Sequence, residues 1–396
     1  MDKFIVSIVK GKDIPKMVEE AVNKLGGIES IVPRGSRVML KPNLLMATKN
    51  PGPVTNPRVT EAVVNLVKRA HPREIVIAES SLVGLDTEKA FEVSGTKAVA
   101  ERTGAKWFDL KKDKIVEVPV PRGKVIKTIK LPKSYIDSEV FINLPVMKTH
   151  VQTGVTLSLK NMKGLLPDEE KKRVHLENID QAIADYNTVM KCDLTILDGT
   201  TAVEGYGPES PPGKPIQMDL IMAGKNNLAV DMVAAAVMGI DYRAIKHLRG
   251  AIQLGLGPKK IDDIGVEGES VKGVMRKFEQ PPKEIIAIPG VKMLVGSPCS
   301  ACISEYMFAA SQIERFGLLP KIKDLTIAIG PKAKGMIPKE EKGKLLLLGK
   351  CLEGCAEGIN APGCPPFVFD AIAKIYGEKT LEEHLKEEEE EEEEAK

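Results

Sequence analysis

Arg37-Val-Met-Leu40, Arg58-Val-Thr-Glu-Ala-Val-Val-Asn-Leu-Val-Lys-Arg-Ala70 and Glu74-Ile-Val-Ile-Ala78 are the stretch on which the fold turns. The outer two runs are short and apolar without alternation, as strands buried on both faces are. The middle run sets Val59, Ala62, Val63 and Val67 on one helical stripe, which must pack against a sheet. A strand, an amphipathic helix and a second strand form a crossover, and a crossover joins parallel strands. Working outward, Phe4–Val9 reads as a strand and Pro15–Leu25 as a helix. Val140–Leu144, Leu194–Leu197 and Met218–Ala223 read as further strands, and Glu177–Met190 and Leu228–Met238 as helices. The alternation predicts an α/β protein, a mostly parallel sheet with helices on both faces.

The expected divisions follow from punctuation. Residues 1–240 form the α/β core, with a hairpin insertion at about 115–131 turning at Pro121-Arg122-Gly123. Residues 241–290 read as a helical, turn-rich connection, ending in Pro281-Pro282 and Pro289-Gly290. Residues 291–380 make a smaller α/β unit carrying cysteines, and 381–396 an acidic tail. The tail holds eight Glu and one Lys over 387–396, a charge of −7, so residues 1–386 carry +9 against a total of +2. Eight like charges in a row bury nothing, so the tail is expected to be mobile or an exposed helical extension. The basic body favours an anionic ligand.

At 396 residues there is room for two or three cores. Few aromatics beside many Lys and Glu lean towards a thermophile. No apolar run approaches the roughly 20 residues that span a bilayer. The first residues enter a strand pattern with no signal-like segment, so the expectation is a cytoplasmic protein that does not act in the membrane. Basic residues are dispersed and rarely interleaved with aromatics, which argues against nucleic-acid binding.

Five of the six cysteines fall in Cys299-Ser-Ala-Cys302, Cys351-Leu-Glu-Gly-Cys355 and Gly363-Cys364-Pro365-Pro366. Thiolates gathered on three loops suit a [4Fe–4S] cluster, with tetrahedral zinc as the alternative. Cys299, Cys302, Cys351 and Cys364 are the expected ligands, with Cys355 as a substitute for one of them. Cys192 stands alone and reads as a core thiol.

In open parallel sheets, ligands bind beyond the carboxyl ends of the strands. Here those ends read Lys41-Pro42-Asn43, Glu79-Ser80-Ser81, Asn143 with Lys148 and His150, and Asp198-Gly199-Thr200. Lys160, Asn161 and Lys163 lie in the otherwise apolar Gly154–Gly164 stretch. Asp231 interrupts an apolar helix, so it is either a cleft acid or the group that orients a cleft lysine. Lys41, Asn43, Lys160, Asn161 and Lys163 are thus candidate substrate-binding residues. His150, Lys148, Asp198, Glu79 and Asp231 are candidates for proton transfer or orientation. No phosphate-binding G-x-x-x-x-G-K-[ST] loop is present.

Val38-Met-Leu-Lys-Pro-Asn43, Ile142-Asn-Leu-Pro-Val-Met-Lys-Thr-His150, Gly154–Gly164, Leu197-Asp-Gly199 and Asn227–Gly239 resemble the domain-of-unknown-function 362 family. The cysteine segments look like the iron–sulfur-associated ends of many members. The resemblance implies a cytoplasmic protein and no settled reaction. A more distant likeness to the nickel-dependent lactate racemase superfamily rests on His150 and the glycine- and lysine-bearing loop after it. The chain lacks that superfamily's histidine-rich pattern.

Two functional readings follow. One is an iron–sulfur enzyme, an oxidoreductase or lyase, acting on an anionic small-molecule substrate. The other is a non-catalytic iron–sulfur or metal carrier that docks on a partner enzyme, as an electron-transfer protein would. Neither reading specifies an oligomeric state.

Overall fold

The computed structural model describes residues 4–207, 213–281, 287–298, 300–338, 344–364 and 366–394. The chain forms two compact units, Met1–Pro281 and Pro282–Lys396. The first unit's strands are β1 (Phe4–Lys10), β2 (Arg37–Pro42), β3 (Glu74–Glu79), β4 (Lys106–Asp109), β5 (Ile115–Pro119), β6 (Thr128–Pro132), β7 (Val140–Leu144), β8 (Val146–His150), β9 (Gly154–Thr156), β10 (Leu194–Gly205), β11 (Gly213–Gly224) and β12 (Ile264–Gly268).

Ten of these strands build one sheet in the order β12-β1-β11-β10-β7-β2-β3-β4, with β8 on β10 and β9 on β8. Pairing is parallel except at β1/β11, β10/β11 and β8/β9. Alternate residues of a strand point to opposite faces, and two cores result. Val38, Leu40, Ile75, Ile77, Val140 and Ile142 join the core covered by the helices Ile14–Asn23 and Pro57–Lys68. Met39, Val76, Ala78 and Phe141 join the other, covered by Asp168–Tyr186, Asn227–Val237 and Lys246–Gln253. The expected mostly parallel sheet with helices on both faces is the fold.

Four details differ from the sequence reading. Asp198-Gly199-Thr200 does not end a strand. β10 runs on to Gly205, and its register with β11 shifts between Gly199 and Thr201. Such a bulge absorbs an Asp-Gly pair that would otherwise turn the chain. The expected helix Glu177–Met190 begins earlier, at Asp168, and breaks at Asn178, whose φ is 125°. The segment expected as a connection belongs to the first unit as far as Pro281, because β12 pairs in parallel with β1. The hairpin insertion is present as β5/β6, with Val118 opposite Ile129, but as a separate two-stranded sheet.

The second unit contains a parallel sheet of β13 (Val291–Val295), β14 (Leu325–Ile329), β15 (Lys344–Leu348) and β16 (Ile359–Ala361) in sequential order. The helices Ser300–Arg315 and Val368–Tyr376 accompany it. The tail is helical over Leu381–Glu394. Thr380 and Glu383 start it reciprocally: Thr380 N–H donates to Glu383 Oε2 at 2.7 Å and Glu383 N–H to Thr380 Oγ1 at 3.4 Å. His384 stacks on Phe316 with ring centroids 4.3 Å apart. Among the described residues no helix is long and apolar enough to cross a membrane.

The anchor of the tail precedes the glutamate run. Beyond it, Glu388 pairs with Arg315 at 2.5 Å, and both side chains are about one-third exposed. Exposed pairs contribute little. Removing residues 387–396 is therefore expected to change the unfolding free energy by less than about 1 kcal/mol, measured by chemical denaturation. A larger loss would show that the glutamates hold the tail in place.

Candidate functional site

The carboxyl ends of β2 and β3 meet in a buried ion pair. Lys41 Nζ lies 2.6 Å from Glu79 Oε2, with both side chains almost wholly shielded. The Lys41 pKa is lowered, by burial first and against the pull of Glu79. Glu79 also accepts from Leu44 N–H at 3.3 Å and Ser80 N–H at 2.8 Å. Gly164 closes over the pair. A Cβ there would stand 2.1 Å from Glu79 Oε1 and 2.6 Å from Lys41 Nζ, so a larger residue would have to push the ends of the pair aside.

Beside the pair runs a chain of buried side-chain amides. Lys148 Nζ donates to Asn43 Oδ1 at 2.9 Å and to Pro53 O at 2.6 Å. Asn43 Nδ2 donates to Asn161 Oδ1, and Asn161 Nδ2 to Asn143 Oδ1, each at 2.8 Å. Asn143 Nδ2 donates to Ser158 O at 3.0 Å and to Asn227 Oδ1 at 3.3 Å. Every member is oriented by its neighbour, so the ends of β2, β7 and β8 and the 158–161 turn are locked together.

Next to this chain the β8–β9 ribbon carries a basic face. Lys148 is opposite Thr156 and His150 opposite Gly154, so Lys148, His150 and Thr156 share one side. Lys160 Nζ reaches Thr156 Oγ1 at 3.5 Å on that side. Lys163 Nζ stands 2.5 Å from His175 Nε2. His150 Nδ1 accepts from the N–H groups of Gln152, at 3.1 Å, and Thr153, at 3.4 Å. That leaves its proton on Nε2 and makes the ring a neutral donor. Its pKa is held well below the usual value by burial, then by Lys160, Lys163, His175 and Lys148. His175 is lowered likewise by burial, then Lys163 and Lys160. Burial, then Lys160, brings Lys163 down to about 7.

The carboxylates are committed elsewhere. Asp231 Oδ1 and Oδ2 accept from the N–H groups of Ser158 and Leu159 at 2.7 and 2.9 Å, capping the segment that carries Lys160. Burial pushes its pKa up to about 7. Asp198 accepts from Asn56 N–H at 2.8 Å and from Thr200 N–H and Oγ1 at 2.9 and 2.7 Å. These geometries orient backbone; they do not present an acid. Lys41 and Glu79, expected as cleft groups, form a structural pair. Lys148, His150, Lys160 and Lys163 come together, and Asn43 and Asn161 sit behind them.

Sequence reasoning passed over His175, which lies in a polar run with no ligand spacing. It also passed over Lys171, whose Nζ donates to Ser80 O, Ser80 Oγ and Ser81 O at 2.7, 2.6 and 2.5 Å. Both lie on the helix Asp168–Tyr186, whose placement against the β3 and β8 ends no local pattern reveals.

In the second unit the cysteine loops leave the carboxyl ends of the parallel strands. Cys302 is buried, Cys355 and Cys364 half-buried and Cys351 exposed; Cys299 lies outside the described residues. A Cβ on Gly349 would be 3.6 Å from both Cys302 Sγ and Gly363 O. Lys350 N–H donates to Gly363 O at 3.2 Å. Among the described residues no three His, Cys, Asp or Glu side chains stand as a metal site. Cys192 is a thiol bonded to Leu194 O at 3.4 Å, its pKa raised to about 12 by burial.

Residues 38–236 match the family described as "Domain of unknown function (DUF362)". A thylakoid-associated protein of Synechocystis sp. is 31% identical over 249 residues, which are 59% of this chain and 73% of that protein. Among solved structures, the lactate racemase apoprotein of Thermoanaerobacterium thermosaccharolyticum has a TM-score of 0.42 at 10% identity, covering 90% of this chain and 87% of its own. A Thermotoga maritima protein has a TM-score of 0.38 at 12% identity, covering 81% and 72%. At those scores the likeness carries no argument about chemistry.

Gly164 gives the sharpest structural test of this site. Gly164→Ala is expected to cost about 2–4 kcal/mol by forcing Lys41 and Glu79 apart in a buried setting. Denaturant titration measures it. A near-neutral result would mean that the loop shifts freely and that the ion pair does not depend on close approach.

Proposed function

The chain belongs to the DUF362 family, and we propose that it is an enzyme which binds a small anionic metabolite on the basic face of the β8–β9 ribbon. The observation that carries this reading is the gathering of Lys148, His150, Lys160, Lys163 and His175, with Lys163 Nζ and His175 Nε2 only 2.5 Å apart. Two cations cannot share that distance, so the pair holds one proton between two bases. With Lys163 brought down to about 7, the pair exchanges that proton near neutral pH. In this reading Lys163 and His175 move the proton, and His150 donates Nε2–H to a developing oxyanion. Lys148 and Lys160 supply positive charge. Asp231, Asn43 and Asn161 are positioning residues.

The second unit completes the proposal. Cys299, Cys302, Cys351 and Cys364 would hold a [4Fe–4S] cluster, with Cys355 able to replace one ligand and zinc the alternative metal. The support is the approach of both Cys302 and Gly363 to Gly349, since Gly349 precedes Cys351 by two residues and Gly363 precedes Cys364 by one. Such a cluster would supply single electrons or a Lewis-acidic iron, the chemistry of an oxidoreductase or lyase. A cytoplasmic setting would keep these thiols reduced.

Two measurements test the reading. An anion beside Lys163 favours its charged form, so its pKa rises on binding. Binding then takes up a proton, and affinity is highest below about pH 7 and falls as pH rises through the free-state pKa of about 7. Calorimetric titrations of acetate, malonate, sulfate and phosphate across pH 6–9 should show this for the anions that bind. Lys163→Met should cost roughly 1–3 kcal/mol of binding and flatten the pH profile. Failure of all four anions to bind would overturn the anion site.

For the second unit, protein purified without oxygen should absorb broadly near ~400 nm through thiolate-to-iron charge transfer. Colourless protein with one zinc per chain would replace the cluster by the alternative metal.

A further inference from the structure

We infer that the anion taken by this site is a phosphate monoester, its phosphoryl group meeting His150, Lys160 and Lys163; this rests on the anion-site reading above. The donors come from three elements: His150 at the end of β8, Lys160 in the helix Ser158–Asn161, and Lys163 in the 3-10 turn Met162–Leu165. Lys160 and Lys163, three residues apart on successive helical turns, fall on the same side. A carboxylate offers two oxygens in one plane and is best met by the flat fork of an arginine. None of the groups acting on His150 or Lys163 is an arginine. Point-like ammonium groups and one imidazole N–H, carried on three elements, suit the three non-bridging oxygens of a phosphoryl group.

The protonation states agree. His150 cannot accept a proton at Nδ1 without losing two backbone hydrogen bonds, so it meets the ligand only as a neutral donor. The groups facing it are Lys148, Lys160, Lys163 and His175, all bases. Lys163 faces Lys160 and His175, with Asp168 the carboxylate acting on it. Asp168 itself is shared with Lys111 at 3.1 Å and Lys171 at 3.7 Å. A phosphate monoester loses its second proton near pH ~6. It is therefore a dianion while the Lys163–His175 pair still accepts a proton, so the site and this ligand gain opposite charge in one pH range.

One further polar group stands beside the donors in sequence. Both polar atoms of the Gln152 amide, two residues after His150, are buried without a hydrogen-bond partner among the described residues. Buried polar atoms of this kind need a partner, and the ester oxygen or a hydroxyl of the metabolite supplies one.

The test uses the full chain with inorganic phosphate, methyl phosphate, acetate and malonate at pH 7.5, titrated in two buffers of different ionisation enthalpy. The expected result is that phosphate and methyl phosphate bind at least tenfold more tightly than either carboxylate, with net proton uptake. Lys160→Met, a change at a partly exposed side chain, should weaken methyl phosphate at least tenfold while the melting temperature holds. Lys163→Met should remove the proton uptake. Tighter binding of acetate or malonate would overturn the phosphoryl assignment and leave the anion site standing. No binding by any of the four would remove both. Phosphate binding that neither lysine variant weakens would place the phosphate elsewhere and overturn the assignment.

Discussion

The buried pair of Lys41 and Glu79 is the constraint from which the site is built. Two charges leave water at the ends of adjacent parallel strands, which is costly unless every lone pair and proton is used. Glu79 uses its oxygens on Lys41, Leu44 N–H and Ser80 N–H. The backbone after β2 and after β3 is thereby tied to one carboxylate. Gly164 then lies against both partners, so the chain from β9 to the helix Asp168–Tyr186 must pass over the pair. Lys160 and Lys163 come just before that glycine in sequence, so this passage sets their position.

A second layer of order comes from neutral groups. The relay from Lys148 through Asn43, Asn161 and Asn143 to Asn227 joins four segments far apart in sequence by hydrogen bonds that each have one workable direction. Replacing one member would orphan two others in a dry interior, at the cost of an unmade hydrogen bond on each side. Asp231 and Asp198 do the same for backbone, one capping the turn before Lys160 and the other holding Asn56 at the start of the helix Pro57–Lys68. The two aspartates hold backbone, while Lys160, Lys163, His150 and His175 crowd one another as bases.

The second unit shows a parallel logic. Gly296, Gly330 and Gly349 directly follow β13, β14 and β15, and the last two have φ of 89° and 84°. A Cβ on Gly330 would come within 2.6 Å of Gly296 O and of Pro298. Glycine exits let the loops approach one another closely, and Cys302 and Gly363 both come up to Gly349.

Periodicity made the core legible from residues alone. Continuous apolar runs such as Glu74–Ala78 announced buried parallel strands, and the stripe from Val59 to Val67 announced the helix between them, because burial on both faces or on one leaves different patterns. The strand-end rule brought Lys148 and His150 into view, and the polar residues within the apolar Gly154–Gly164 stretch added Lys160 and Lys163. Local pattern could not show that Asp198 sits inside a bulged strand, that Asp231 caps a turn, or that Lys171 and His175 reach the strand ends from a helix broken at Asn178. Those outcomes depend on which backbone N–H or which second base lies within about 3 Å in space, the reach of a hydrogen bond. Sequence therefore determined which apolar residues form the core and which residues can carry charge. Tertiary packing alone decided which charges are paired and which are crowded by like charge, because desolvation and pairing are properties of neighbours brought together by the fold.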